Sequence, residues 1–156
     1  MHEQPAAAMT RPATHSFLAF DYGTRRVGVA TGNTLTRNAQ PLRTVAAVGD
    51  ARFEAIGRLI DEWLPDALVV GVPFHPDGAA HDNTQRARRF ARQLHGRFKL
   101  AVHEVDERYT TTEALSLGAC DIDAASAAII LDQFFATTMF AATAVPEPAP
   151  EPKPAE

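Results

Sequence analysis

Three groups of carboxylates stand at the ends of predicted secondary-structure elements: Asp21, the pair Asp106 and Glu107, and the pair Asp121 and Asp123. Asp21 closes the apolar run "FLAF" and precedes "YGTRR". Asp106 and Glu107 close "LAVHEV", and the last pair opens the final helix in "DIDAAS". Carboxylates from strand ends and a helix start can converge where a mixed sheet opens its ligand crevice. Grouped like charges repel unless a cation lies between them, and hard oxygen donors suit Mg²⁺ or Mn²⁺. Two such ions can clamp a phosphodiester, activate water and stabilise the leaving oxygen. Each acid also has an ordinary use. Asp21 could shape a turn, Asp121 and Asp123 could each cap a helix, and Asp106 could pair with Arg108 at the surface. Their common placement at element ends is what points to a site.

A second cluster is basic. Arg86, Arg88, Arg89, Arg92, Arg97 and Lys99 lie between Asn83 and Lys99 with no acidic residue among them. At about 100° per residue the apolar stripe and the arginines segregate. Arg88, Arg89 and Arg92 then lie opposite the core, with Arg86 and Arg97 flanking it. Solvated helix faces usually mix charge signs, so this face suggests a phosphate-backbone partner. Arg25 and Arg26 stand beside Asp21 and could steady a phosphate. The loop "GVPFHPDG" lacks the Lys-Ser/Thr of a P-loop. His75, His81, His95 and His103 show no metal-ligand spacing; His103 falls within a strand.

The elements that must position these residues read as follows. "FLAF" and "RVGVAT" are antiparallel strands joined tightly by "DYGTR", with Gly23 allowing the turn. A third short strand lies around "LRTVAAV". Asp50 is expected to cap a helix with Phe53, Ile56, Ile60 and Trp63 on one face, ended by Pro65 and Asp66. "ALVVGV" is a strand covered on both faces. "PFHPDGAAHDN" is a loop, and a helix from about Asn83 buries Ala87, Phe90, Ala91, Leu94 and Phe98. "LAVHEV" is the next strand. A short helix through "TEALSL" ends at Gly118. The last helix, from about Asp121 to Phe140, buries Ala127, Ile130, Leu131, Phe134 and Phe135. Three meandering strands followed by βα units give an α/β fold: a mixed five-stranded sheet with helices on both faces.

The 156 residues fit one domain. Residues 1–15 are expected to be a flexible N-terminus and 16–142 the domain. Residues 143–156 are expected to be a disordered Pro/Glu/Ala tail. That tail supplies −2 of the formal net charge of −4, so total charge does not itself point to nucleic acid. The single cysteine, Cys120, excludes an internal disulfide and a thiolate zinc cluster. The N-terminus lacks the apolar stretch of a signal peptide. No run approaches the roughly 18 apolar residues of a membrane span. The expected location is the cytoplasm, with no membrane partner.

"FDYGTRRVGVA", "VVGVPFHPDG", "ARRFARQLHGRF", "VDERYTTTEA" and "DIDAASAAIILDQFF" together resemble the successive motifs of the YqgF (RuvX) family. The resemblance runs from about Phe17 to Phe135, with the motifs in family order. It implies an RNase H-like fold related to the RuvC Holliday junction resolvases. It further implies a divalent-metal phosphodiesterase that matures the 5′ end of pre-16S rRNA. Carried over by position, Asp21 matches the first-strand carboxylate. Asp106 and Glu107 match the "DE" pair, of which one faces the metal. Asp123 matches the aspartate opening the final helix, with Asp121 the alternative.

The implied nucleic-acid contacts are Arg25, Arg26, Arg86, Arg88, Arg89, Arg92 and Arg108. The implied partner is structured RNA, within a pre-ribosomal particle, or branched DNA. Either a monomer or a homodimer fits, and a junction resolvase would be the dimer. Three features depart from the pattern. The segment between "TEALSL" and "DIDAAS" is short, His75 stands where asparagine is common, and the tail is extra. A binding factor without catalysis is the non-enzymatic alternative. "DYGT" also resembles the phosphate loop of actin-like ATPases, but those enclose ATP between two lobes and this chain has one.

Overall fold

The computed structural model describes residues 14–73, 82–106 and 121–142. In chain order the elements are β1 (Ser16–Asp21), β2 (Val27–Asn33), β3 (Gln40–Val45), α1 (Gly49–Trp63), β4 (Ala67–Val72), α2 (Asp82–Phe98), β5 (Ala101–Asp106) and α3 (Ile122–Ala142). The expected loop before α2 (residues 74–81), the expected short "TEALSL" helix, Glu107, Arg108 and both chain ends lie outside the described residues. The sheet is five-stranded, ordered β3-β2-β1-β4-β5. β1 pairs antiparallel with β2 and parallel with β4. β2 with β3 is antiparallel, and β4 with β5 is parallel. The expected mixed sheet with helices on both faces is therefore present.

Strand alternation sorts the core into two layers. Leu18 and Phe20 of β1, with Leu68, Val70 and Val72 of β4, pack against α1 and α2. Phe17 and Ala19 of β1, with Ala67, Val69 and Val105, pack against α3. Every residue of β4 is buried, as its all-apolar sequence demands. The Phe17 ring meets Phe134 and Phe135 edge-on at 5.1 and 5.7 Å between centroids. Such aromatic pairs add about 0.5–1.5 kcal/mol each beyond their burial. They hold α3 along the sheet.

Small residues set how closely α3 approaches β2. Gly28, Ala30 and Gly32 present little or no side chain to it. A Cβ on Gly28 would lie 1.8 Å from the Asp123 carbonyl oxygen. A Cβ on Gly32 would lie 3.0 Å from both Leu131 and Phe135. From Gly28 to Gly32 a strand advances about 13 Å, and eight helical residues advance about 12 Å. The helix therefore tracks β2 step for step.

Four local expectations need correction. Helix α1 is capped by Val48, with no side-chain cap, and Asp50 sits in its first turn. The Asp50 carboxylate instead accepts from Arg97 at 3.2 Å. The buried stripe of α1 is Arg52, Phe53, Ile56 and Leu59. Ile60 is only partly buried and Trp63 is exposed, because the helix turns its 52–56–59 line, not its 60–63 line, to the sheet. β3 begins and ends earlier than "LRTVAAV" because its pairing with β2 runs from Gln40 to Val45. Helix α1 ends at Trp63, and Leu64, with a left-handed backbone (φ 48°), caps the last turn before Pro65 is reached.

Candidate active site

β1 is the central strand, and its last residue is Asp21. Asp21 pairs with Gly28 on one side and Gly71 on the other. One row thus crosses the whole sheet: Thr44, Gly28, Asp21, Gly71 and Val105. Alternation turns Asp21 to the same side as Phe17 and Ala19, the side that α3 covers. Gly28 and Gly71 flank the carboxylate in this row, and neither places a side chain beside it. The central position arises because β1 is extended and apolar through Phe20. The chain must then turn at once: a Cβ on Gly23 would stand 2.6 Å from the Arg26 carbonyl oxygen.

The first turn of α3 seats directly on this row. Its backbone at Asp123 occupies the space a side chain at Gly28 would need. Asp123 therefore lies over β2, the strand that pairs with β1 at Asp21. Its carboxylate accepts from Arg26 Nε at 2.8 Å. Asp121 does different work. Its Oδ1 accepts the Ala124 amide at 3.0 Å and the Thr44 hydroxyl. It is the N-cap of α3, tied to β3, which satisfies an otherwise orphaned helix amide. Of the two alternatives, Asp123 is the one whose carboxylate faces the "TRR" turn.

Strand alternation assigns Asp106 to the sheet face opposite that of Asp21. Asp106 pairs in register with Val72, which belongs to the α1–α2 layer. Its neighbours alternate as required: Glu104 meets Arg88 of α2 at 3.3 Å, and Val105 lies in the α3 layer. Glu107 and Arg108 lie outside the described residues.

Arg25 and Arg26 are both exposed beside Asp21. Arg86, Arg88, Arg89 and Arg92 sit on α2, across the sheet from α3. Among the described residues, no group of three acidic, histidine or cysteine side chains is gathered closely enough to hold a metal. Asp21 and Asp123 carry oxygen donors, the chemistry that Mg²⁺ and Mn²⁺ require. No helix among the described residues is long and apolar enough to cross a membrane.

Sequence reasoning missed three contributors. Gly28 had a signal: a glycine inside a strand marks a close backbone approach. Arg52 interrupts an apolar helical stripe. It is buried, donating from Nε to the Ala47 carbonyl at 2.9 Å and from Nη2 to the Thr24 carbonyl at 3.2 Å. Its guanidinium also lies 5.6 Å from the Tyr22 ring centroid, so it braces the "DYGTR" turn from beneath. Thr44 gave no signal of its own.

A five-stranded mixed sheet with the first strand central, a carboxylate at its end and the terminal helix laid over it is the RNase H-like arrangement. Thermus thermophilus RuvC, solved in complex with a Holliday junction substrate, shares this fold. It superposes with a TM-score of 0.52 over 80% of this chain and 96% of that one, at 15% identity. A sequence model of the RuvX family, described as Holliday junction resolvase, matches residues 15–137, and the chain belongs to this nuclease family.

Close relatives carry the name "Putative pre-16S rRNA nuclease". The protein of Polaromonas sp. strain JS666 is 68% identical over 119 residues, 76% of this chain and 86% of that protein. That of Albidiferax ferrireducens is 70% identical over 119 residues, 76% of each. That of Burkholderia pseudomallei is 53% identical over 136 residues, 83% of this chain and 92% of the other.

Proposed function

We propose that this chain is an endonuclease that hydrolyses phosphodiester bonds of structured RNA, in 5′-end maturation of a pre-16S rRNA in the cytoplasm. The names of relatives more than half identical to it support the substrate. The observation that carries the site is Asp21 on the central strand, between two glycines, beside the point of β2 on which the first turn of α3 seats.

Asp21, Asp123 and Glu107 would hold Mg²⁺ or Mn²⁺, two ions being the full complement. Bound there, the ions supply positive charge that acidifies water and offsets charge on the phosphate. Glu107 is preferred to Asp106 because Asp106 pairs in register with Val72 of the α1–α2 layer. Arg26 and Arg25 meet the backbone near the scissile bond. The Arg26–Asp123 pair is partly exposed, and such pairs contribute only about 0–1 kcal/mol. Arg26 can therefore leave Asp123 for a phosphate at little cost. Arg52 keeps the turn that carries both arginines in place.

The test is cleavage of precursor rRNA with Mg²⁺ or Mn²⁺. Asp21→Asn should lower the rate at least about 100-fold, the scale expected when a group acting on transition-state charge is removed. Thermal unfolding should be unchanged. Full activity in that variant, where wild type cuts, would overturn the mechanism.

A second reading is favoured by the family's description: cleavage of four-way DNA junctions by the same residues. It requires a dimer, since two symmetric cuts need two sites. Side-by-side cleavage of precursor rRNA and four-way DNA, with the oligomeric state measured by sedimentation, separates the two.

A further inference from the structure

The sheet divides two features that the sequence alone would merge. Asp21 and the first turn of α3 lie on one side. Helix α2 covers the other, burying Ala87, Phe90, Ala91 and Leu94 against it. The outward face of α2 is therefore turned away from the cleavage site by the thickness of the helix and the sheet.

Apart from Asp82 at its first residue, the acidic and basic side chains of α2 are all basic. Arg88 is drawn to Glu104 and Arg97 to Asp50. Arg86, Arg89 and Arg92 remain exposed, and Arg89 and Arg92 form no ion pair among the described residues. They recur every third residue, about 4.5 Å of helical rise apart, so the row is about 9 Å long. Helix α1, packed on the same side, is the internal comparison: Asp50, Glu54, Arg58, Asp61 and Glu62 mix signs on its surface. Arginine forks suit phosphate oxygens.

We propose that the outward face of α2 is a docking surface for double-helical RNA, separate from the cleavage site and acting on parts of the substrate distant from the scissile bond. The proposal rests on the reading of the chain as an RNA nuclease. An RNA duplex is favoured over an acidic protein because protein interfaces centre on apolar or aromatic anchors. The exposed large hydrophobics among the described residues are Leu35, Val48, Trp63, Leu64 and Ile122, and none is on α2. Duplex RNA is recognised through phosphates and shape, which a row of arginines can serve without such a centre. RNA held there must pass round the sheet to reach Asp21, so the face matters most for long substrates.

The experiment is fluorescence anisotropy with a labelled RNA duplex of about 16 base pairs, the span of a typical duplex-RNA module, across a series of salt concentrations. Wild type, Asp21→Asn and the double variant Arg89→Gln/Arg92→Gln are compared, with kcat/KM measured on long precursor RNA and on a short single-stranded substrate. The double variant should bind about tenfold more weakly at low salt, with a log K against log salt slope smaller by about two. Asp21→Asn should bind as wild type does. The loss in kcat/KM should be larger on the long precursor than on the short one.

Unchanged duplex affinity and slope would overturn the proposal, as would equal losses on both substrates. Unchanged RNA binding with lost association to an acidic protein would reassign the face to a protein partner. Lost duplex binding in a protein that cuts no RNA would uphold the docking surface and remove the nuclease reading.

Discussion

Gly28 has no side chain, and the Asp123 backbone fills the space one would take. Alanine there cannot be absorbed by a flexible neighbour, since the contact is backbone against backbone. Gly28→Ala should cost about 1–3 kcal/mol, the range for overpacking. It should also lift the first turn of α3 from the row containing Asp21. Denaturant melts together with cleavage assays check this; wild-type stability and activity would contradict the close approach. Asp21 itself could be picked out from the chain because a carboxylate closing an apolar strand invites a ligand. Arg52 could not be, since an arginine in a helical stripe is ordinarily solvated. Its burial follows from two carbonyls, at Ala47 and Thr24, which come near it only after folding.

At the scale of elements, both α1 and α2 end on a non-glycine residue in the left-handed region, Leu64 at φ 48° and Lys99 at φ 61°. The Lys99 amide closes its turn on the His95 carbonyl at 2.9 Å. A side chain in that conformation costs about 1–2 kcal/mol, and glycine's greater freedom when unfolded returns part of any gain. Lys99→Gly should therefore stabilise the protein by about 0.5 kcal/mol, read as a higher denaturant midpoint at constant slope. A lower midpoint would show that Lys99 contributes contacts outweighing the strain. The strands and helices themselves were legible, because apolar periodicity is local. The hairpin, the all-apolar β4 and the α3 stripe all stand where the pattern puts them. The cap of α1 and the bounds of β3 were not, because they depend on what lies across space: Arg97 takes Asp50, and β2 sets the register of β3.

For the molecule as a whole, the pH dependence of stability has a contribution from His103. Its ring packs against Phe134 at 5.1 Å and Phe17 at 6.5 Å, and burial lowers its pKa below the usual 6.5. The unfolded chain then takes up a proton near pH 6.5 while the folded one does not. This stabilising contribution is complete above 6.5 and is lost as pH falls towards the folded pKa. As pH falls through 6.5, stability should therefore decline less in His103→Gln than in wild type. An identical slope in the variant would exclude the histidine as its source.

The sequence by itself determined the α/β class, the helical and strand segments, the family and the short list of acids and arginines. These follow from periodicity and from motifs carried along the chain. Only the tertiary structure decided where each acid stands. It paired Asp106 in register with Val72 of the α1–α2 layer, made Asp121 a cap, and set Asp123 over Gly28 within reach of Arg26. It also put the arginines of α2 on the far side of the sheet. Sidedness is a property of the assembled sheet: alternation within a strand is local, but which layer each face meets is settled only when the helices pack.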